Sequence, residues 1–130
     1  MNKFNINSRV YYEDTDAGGI VYHANYLKFM ERARTEWVRA LGISQQTLLE
    51  QSLAFVVIDM AIAFKQSAKL DDVVQITCEV ISKKRASLTF AQEVTKDNVL
   101  LVKAEVKVAC VNTLHSRPTA IPKELLNAID

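Results

Sequence analysis

Apolar and polar positions recur along this chain with two different periods, and the change from one to the other marks its organisation. From Asn25 the apolar residues Tyr26, Phe29, Met30, Ala33, Trp37 and Leu41 return every third or fourth position, with Lys28, Glu31, Arg32, Arg34 and Glu36 between them. That spacing predicts one helix with a buried stripe and a wet face. Gly42 is a natural stop, and Ser44 can cap a second, shorter helix ending near Gln51. Beyond it the period falls to two. Val56, Ile58, Met60, Ile62 and Phe64 are expected to share one face of a strand, and Val74, Ile76, Cys78 and Val80 one face of the next. Leu88, Phe90 and Val94 follow, then Val102, Ala104, Val106, Val108 and Cys110.

Breaks separate the strands at 69–72, 82–85 and 96–98, and the last two, being short, predict antiparallel hairpins. Strand formers also occupy residues 4–12, ahead of a loop at 13–19, and a last short helix begins near Lys123, after Pro122. One amphipathic helix and a set of antiparallel strands make an α+β layer, most economically a sheet wrapped around the helix. Phe55, Val57, Ala61, Ala91, Ala109 and Val111 then form a second apolar set on the far side of the strands. A second copy of the chain is expected to cover it.

Composition narrows the function classes. The 130 residues read as one domain spanning 1–130, with 49% hydrophobic and 24% charged residues, a balance that excludes disorder and fibrous repeats. Sixteen Lys and Arg against fifteen Asp and Glu leave a net charge of +1, so no global field recruits nucleic acid or an anionic membrane. Cys78 and Cys110 form no CxxC, and His23 and His115 are the chain's two histidines, too thin an inventory for a zinc site. Both cysteines fall in phase with Val and Ile, as buried structural thiols do. The N-terminal residues lack the apolar core of a signal peptide. The longest apolar stretch, residues 53–64, is broken by Asp59 and is shorter than the roughly twenty residues that span a bilayer. A soluble, cytoplasmic protein is expected.

No GxSxG elbow, Walker loop or GxGxxG is present. The informative segment is 9–26, RVYYEDTDAGGIVYHANY, in which Asp14 and Asp16 lead through Gly18 and Gly19 into the start of the long helix. Alone, such a loop is an Asx-stabilised turn. Its junction with a helix N-terminus adds free N–H groups and a positive dipole end, suited to a developing oxyanion. A carboxylate beside that point can act as base or nucleophile toward a carbonyl compound, and His23 can orient substrate or simply pack and cap.

The pattern R-V-x4-T-D-x2-G-I-V-Y-H-x-N-Y resembles the signature of the 4-hydroxybenzoyl-CoA thioesterase family, and its Tol–Pal-associated branch in particular. The likeness continues through Leu70-Asp71-Asp72, Lys83-Lys84-Arg85-Ala86-Ser87 and Arg117-Pro118-x3-Pro122. It implies a hotdog fold, an antiparallel sheet of five to six strands around one long helix, and hydrolysis of acyl-CoA or acyl-carrier-protein thioesters without a cofactor or metal. It implies Asp16 as the catalytic carboxylate and His23 as the residue lending its backbone N–H to the thioester oxygen, with Gly19 and Tyr22 beside them. The cluster Lys83, Lys84 and Arg85 falls where the family holds the phosphates of coenzyme A, although alone it reads as a solvated hairpin tip. A homodimer or homotetramer is implied, with the site near the subunit boundary. His at position 23, where the aromatic branch has an aromatic residue, points away from a hydroxybenzoyl substrate.

Two rival functions stand beside this one. His23 with Glu31 imitates the His and acidic pair of hotdog hydroxyacyl-thioester dehydratases, and a non-catalytic acyl-carrier-protein or lipid-binding adaptor would share the fold. Glu31, set among Lys28, Arg32 and Arg34, otherwise reads as a surface ion-pair residue. Asp59 reads as a partner at an interface or strand edge, and His115 as a surface-loop residue.

Overall fold

The helical stripe becomes α1 (Asn25–Ala40), which buries Tyr26, Phe29, Met30, Ala33, Trp37 and Val38. Each large apolar side chain so buried contributes about 1.5–3 kcal/mol. The helix ends at Gly42, whose φ of +86° glycine adopts without strain and whose N–H returns to the Arg39 carbonyl at 2.9 Å. Ser44 opens α2 (Gln45–Glu50), its Oγ accepting the Thr47 N–H at 3.0 Å.

The computed structural model describes residues 3–129. Its strands are β1 (Phe4–Arg9), β2 (Leu53–Phe64), β3 (Val73–Lys83), β4 (Ser87–Lys96), β5 (Val99–Asn112) and the short β6 (Arg117–Pro118), and α3 (Lys123–Ala128) follows Pro122. They form one antiparallel sheet in the order β1-β3-β4-β5-β2, with β6 against the end of β5. The β3–β4 and β4–β5 hairpins are those the short breaks predict, although Ser82 and Lys83 extend β3 rather than joining the turn. α1 packs over β3, β1 and β4. The alternate residues expected on one face of β3, β4 and β5 are buried there, from Val74 to Cys110.

One polar side chain sits in that apolar layer. Gln92 lies between Phe90 and Val94 at 0% exposure. Its Nε2 donates to the Met30 carbonyl at 3.0 Å and the Thr77 carbonyl at 3.3 Å, while its Oε1 accepts from Arg34 Nη1 at 2.9 Å. A buried amide is tolerated when its donors and acceptor are satisfied, and this one bolts the middle of α1 to β3 and β4.

β2 departs from its expected phase. Its register slips between Val57 and Asp59, leaving Ile58 as the extra residue of a bulge. Phe55 and Val57 consequently pair with Cys110 and Val108 on the core side, where Met60, Ile62 and Phe64 join them opposite Val106, Ala104 and Val102. Val56 and Ile58 leave that face. The second apolar set therefore does not form as expected. Around Ala61 and Ala91 the outer face carries Glu79, Glu93, Lys103, Glu105 and Lys107. The twelve-residue β2 is one of the two unpaired edges of the sheet and the longer one, with Ile58 54% and Phe64 48% exposed. Among the described residues, no helix is long and apolar enough to cross a membrane.

Both cysteines are buried in the core layer. Burial pushes the Cys78 thiol up to about 12, and it raises that of Cys110 as well. Thiolate is the reactive form, so neither should react with a maleimide at pH 7.5 while the protein is folded, and both should react in denaturant. Mass spectrometry after a timed pulse reads this directly, and modified Cys78 in folded protein would contradict its placement.

Candidate active site

The first strand ends sooner than its strand formers suggest. After Arg9 and Val10 the chain turns through a 3-10 segment, Tyr12–Asp14, and then runs out and back as a tongue closed by pairing of Thr15 with Val21. Within it the Asp16 N–H bonds to the Ile20 carbonyl at 2.9 Å and the Gly19 N–H to the Asp16 carbonyl at 3.0 Å, with Gly19 at φ +78°. Ile20 also pairs with Lys69. The 69–72 turn is fixed by Asp72, whose carboxylate accepts the Lys69 N–H and the Lys96 ammonium, each at 2.8 Å. Partial burial works to raise that carboxyl, but the bonds to Lys96 and to the Lys69 N–H together hold it below the usual range.

The two carboxylates of the loop have separate surroundings. Asp14 is 4% exposed. Its Oδ2 accepts the Tyr11 N–H at 2.9 Å, its Oδ1 accepts Asn25 Nδ2 at 3.0 Å, and its carbonyl accepts the Tyr22 N–H at 2.9 Å. It thus fastens both ends of the tongue to the first residue of α1. Asp16 is exposed, and its Oδ1 accepts only the Gly18 N–H, at 2.8 Å, among the described residues. A Cβ on Gly18 would lie 3.2 Å from that oxygen, so glycine there keeps the carboxylate unobstructed.

α1 begins without a side-chain cap. Ala24 occupies the cap position, and no acidic residue stands in the first turn. The N–H groups of Asn25 and Tyr26 reach the carbonyls of Tyr22 and His23, whereas those of His23 and Ala24 find no acceptor among the described residues. Asp16, His23, Tyr26 and Phe64 line a cleft of about 230 Å³ with residues 65–67. The exposed His23 ring packs on Tyr22 with centroids 4.6 Å apart and meets the edge of Phe64 at 6.0 Å. Asp16, Gly19, Tyr22 and His23 are thus brought together on one tongue and helix start. An anchored carboxylate beside two free N–H groups can deliver an oxygen nucleophile to a carbonyl whose oxygen those groups hold.

The basic cluster lies elsewhere. A register shift between Val80 and Ser82 turns Lys83 toward the core side, opposite Leu88. Its Nζ donates to the carbonyls of Leu126 and Ile129 at 3.1 and 2.7 Å, closing the C-terminal end of α3. Lys84 and Arg85 remain exposed at the tip. Arg117 on β6 stands at the same end of the sheet, a cation that the sequence pattern alone does not tie to them. This end adjoins Ala109 and Cys110, whereas Phe64 in the cleft pairs with Val102. Seven residues of β5 separate those points, about 23 Å of strand. In one chain, the tongue and the tip occupy opposite ends of the sheet.

Glu31 lines a different crevice, with Arg34, Trp37 and Val57, so its pairing with His23 is not assembled within the chain. It accepts a hydrogen bond from Thr35 Oγ1 at 2.9 Å in place of the expected ion pair. Asp59 is exposed on edge strand β2, with its Oδ1 on the Met60 N–H. His115 sits in an exposed turn whose N–H bonds to Asn112 Oδ1.

A sheet curled around one helix, with a carboxylate tongue at the helix N-terminus, defines the hotdog class of thioester hydrolases. Family comparison agrees, for the Thioesterase-like superfamily matches residues 10–129, and the chain belongs to that superfamily. It is 54% identical to the acyl-CoA thioesterase YbgC of Haemophilus influenzae over 95% of this chain and 92% of that one. Identity to the acyl-CoA thioester hydrolase YbgC of Escherichia coli O6:H1 is 49%, covering 91% and 89%. A probable thioesterase from Bartonella henselae superposes with a TM-score of 0.89 at 34% identity, over 93% of this chain and all of that one.

Asp14→Ala should leave the Tyr11 N–H and the Asn25 amide unpaired in a buried place, at about 3 kcal/mol. The expected result is a lower denaturant midpoint with activity lost in step. An unchanged midpoint would show that Asp14 is not the tie between tongue and helix.

Proposed function

We propose that the protein hydrolyses acyl-CoA thioesters, with Asp16 supplying the nucleophile and the N-terminus of α1 holding the thioester oxygen. The observation that carries this reading is the cleft that Asp16 shares with His23, at the uncapped start of α1. The thioester oxygen accepts hydrogen bonds from those N–H groups as its charge develops, an interaction worth about 10²–10³ in rate per donor. Asp16 either takes a proton from an attacking water or attacks the carbonyl carbon itself, the resulting anhydride then being hydrolysed. Either way the C–S bond breaks and the thiolate, from a thiol of pKa about 8–9, leaves without a strong acid and takes its proton from solvent. The His23 imidazole, stacked on Tyr22, frames the entrance.

Acyl-CoA is favoured as substrate by the names of the close relatives and by the cations Lys84, Arg85 and Arg117, which suit a thiol carrying several phosphates. A thioester on acyl carrier protein presents one phosphodiester and uses fewer of them. Lys83, occupied by α3, serves the tip by anchoring it.

Since tongue and tip lie at opposite ends of one sheet, a single substrate needs two chains. Antiparallel pairing of two β2 edges about a two-fold axis near Ile58 sets Phe64 of one copy beside residues 52–53 of the other. The cleft of the first then adjoins the Lys84 and Arg85 end of the second. The long unpaired edge supports this arrangement, because such edges bind another strand unless blocked.

Asp16→Asn should keep the fold and lower kcat at least about 10²-fold on the best acyl-CoA, since an amide can be neither base nor nucleophile. Folded Asp16→Asn protein with near-normal kcat would remove the assignment. Label entering the Asp16 side chain during a single turnover in H₂¹⁸O would establish the anhydride route, since general-base attack by water leaves the carboxylate unlabelled.

Mixing Asp16→Asn with a Lys84→Ala/Arg85→Ala variant tests the shared site. Random exchange makes half the dimers mixed, each with one intact site, so about a quarter of wild-type activity should return. No recovery after demonstrated subunit exchange, or a fully active monomer in sedimentation, would place each site within one chain.

A further inference from the structure

Tyr26 has a hydroxyl proton that no group among the described residues takes up. The residue stands in the first turn of α1, and a helical side chain leans back toward the N-terminus, which carries this ring across the turn that holds His23. The ring is 2% exposed and lies 6.0 Å from that of Phe64, forming part of the wall of the Asp16 cleft. Its Oη accepts the Ala68 N–H at 2.9 Å. That bond ties the oxygen to the residue following the segment 65–67, which also lines the cleft. Among the described residues the Tyr26 O–H has no acceptor. With the Ala68 hydrogen on one side of the oxygen, the O–H is free to turn toward the cleft that Tyr26 lines. Burial raises the Tyr26 pKa more than the Ala68 bond lowers it, and the Asp72 charge raises it further, so the phenol keeps its proton at neutral pH.

We propose that the Tyr26 hydroxyl is a third hydrogen-bond donor to the reacting thioester, aimed at the negative charge that develops there alongside the N–H groups of His23 and Ala24. The inference rests on the reading of the Asp16 cleft as the hydrolytic site. Lys65, Gln66 and Ser67 also border the cleft, but they are exposed and would have to be ordered at the moment of reaction. Tyr26 is already held by packing and by Ala68, and a donor fixed in advance is the kind that lowers a barrier. It transfers no proton. The phenol stays protonated, and the departing thiolate is neutralised by solvent.

Tyr26→Phe should lower kcat about 10²-fold with KM changed little, which is the usual cost of one such donor. The same change frees a buried Ala68 N–H, so a second variant keeps the bond. Site-specific 3,5-difluorotyrosine at position 26 preserves the oxygen and the ring while making the phenol more acidic. It should move the alkaline limb of kcat to lower pH, a shift that a purely structural role would not produce. Thioesters of an alkyl and an aryl thiol then locate the charge. An equal Tyr26→Phe penalty on both assigns the bond to the carbonyl oxygen, and a penalty confined to the alkyl thiol assigns it to the departing sulfur. Folded Tyr26→Phe enzyme with wild-type kcat, a loss carried by KM alone, or an unmoved alkaline limb in the difluorotyrosine enzyme would overturn the proposal. Asp16→Asn measured in parallel keeps the two readings apart. If it is inactive while Tyr26 changes do nothing, only the role of Tyr26 falls, whereas an active Asp16→Asn removes the hydrolytic site itself.

Discussion

A helix with its side chains is about 10–12 Å across and strands stand about 4.8 Å apart, so one helix covers two or three strands. This sheet has six and the chain supplies one long helix. α1 is placed over β3, β1 and β4 and is held there by Gln92, which joins it to the sheet through Met30 and Arg34. The core side of β2 is left partly open as a geometric consequence. Two crevices that reach the helix, one at Phe64 and one at Val57, lie against that strand.

The tongue solves a second problem, that of keeping a carboxylate exposed yet fixed. A loop seven residues long would ordinarily move, and a mobile Asp16 would lose much of its value as a base or nucleophile. Here a neighbouring carboxylate on the same loop is buried and accepts hydrogen bonds from both sides of the tongue. Asp14 supplies rigidity, and Asp16 is the carboxylate to which we assign the chemistry. The Ile20–Lys69 pairing adds a third attachment, to a turn that Asp72 and Lys96 close.

What was legible in the sequence was what is local in the chain. The helix, its stop at Gly42, the Ser44 cap and the two central hairpins follow from spacing and turn chemistry within a few residues. Asp16, Gly19, Tyr22 and His23 were identifiable together because one continuous segment carries them. Period-two counting failed at Ile58, since a bulge changes the face of every residue on one side of it and leaves no mark in composition. The same blindness hid the turn of Lys83 toward α3. Strand order was not legible either. Nothing local says that β1 and β2 take opposite edges, or that Arg9 pairs with Val73 at the end of β3 away from Lys83, which is what separates the tongue from the basic tip.

The bulge at Ile58 bears on what kind of strand can lie along β2. An edge kinked and twisted at one point does not accept a straight strand along its full length. A strand with the same kink, run antiparallel so that the two irregularities coincide, does fit. The partner that meets this requirement without further adaptation is another β2. Such a pairing consumes both edges at once, and the opposite margin of the sheet is the six-residue β1, with polar Asn5, Asn7 and Arg9 along it. In the proposed dimer, growth through this edge stops after one step. The same kink blunts a hydrophobic edge against seeding fibrils or capturing unrelated extended peptides.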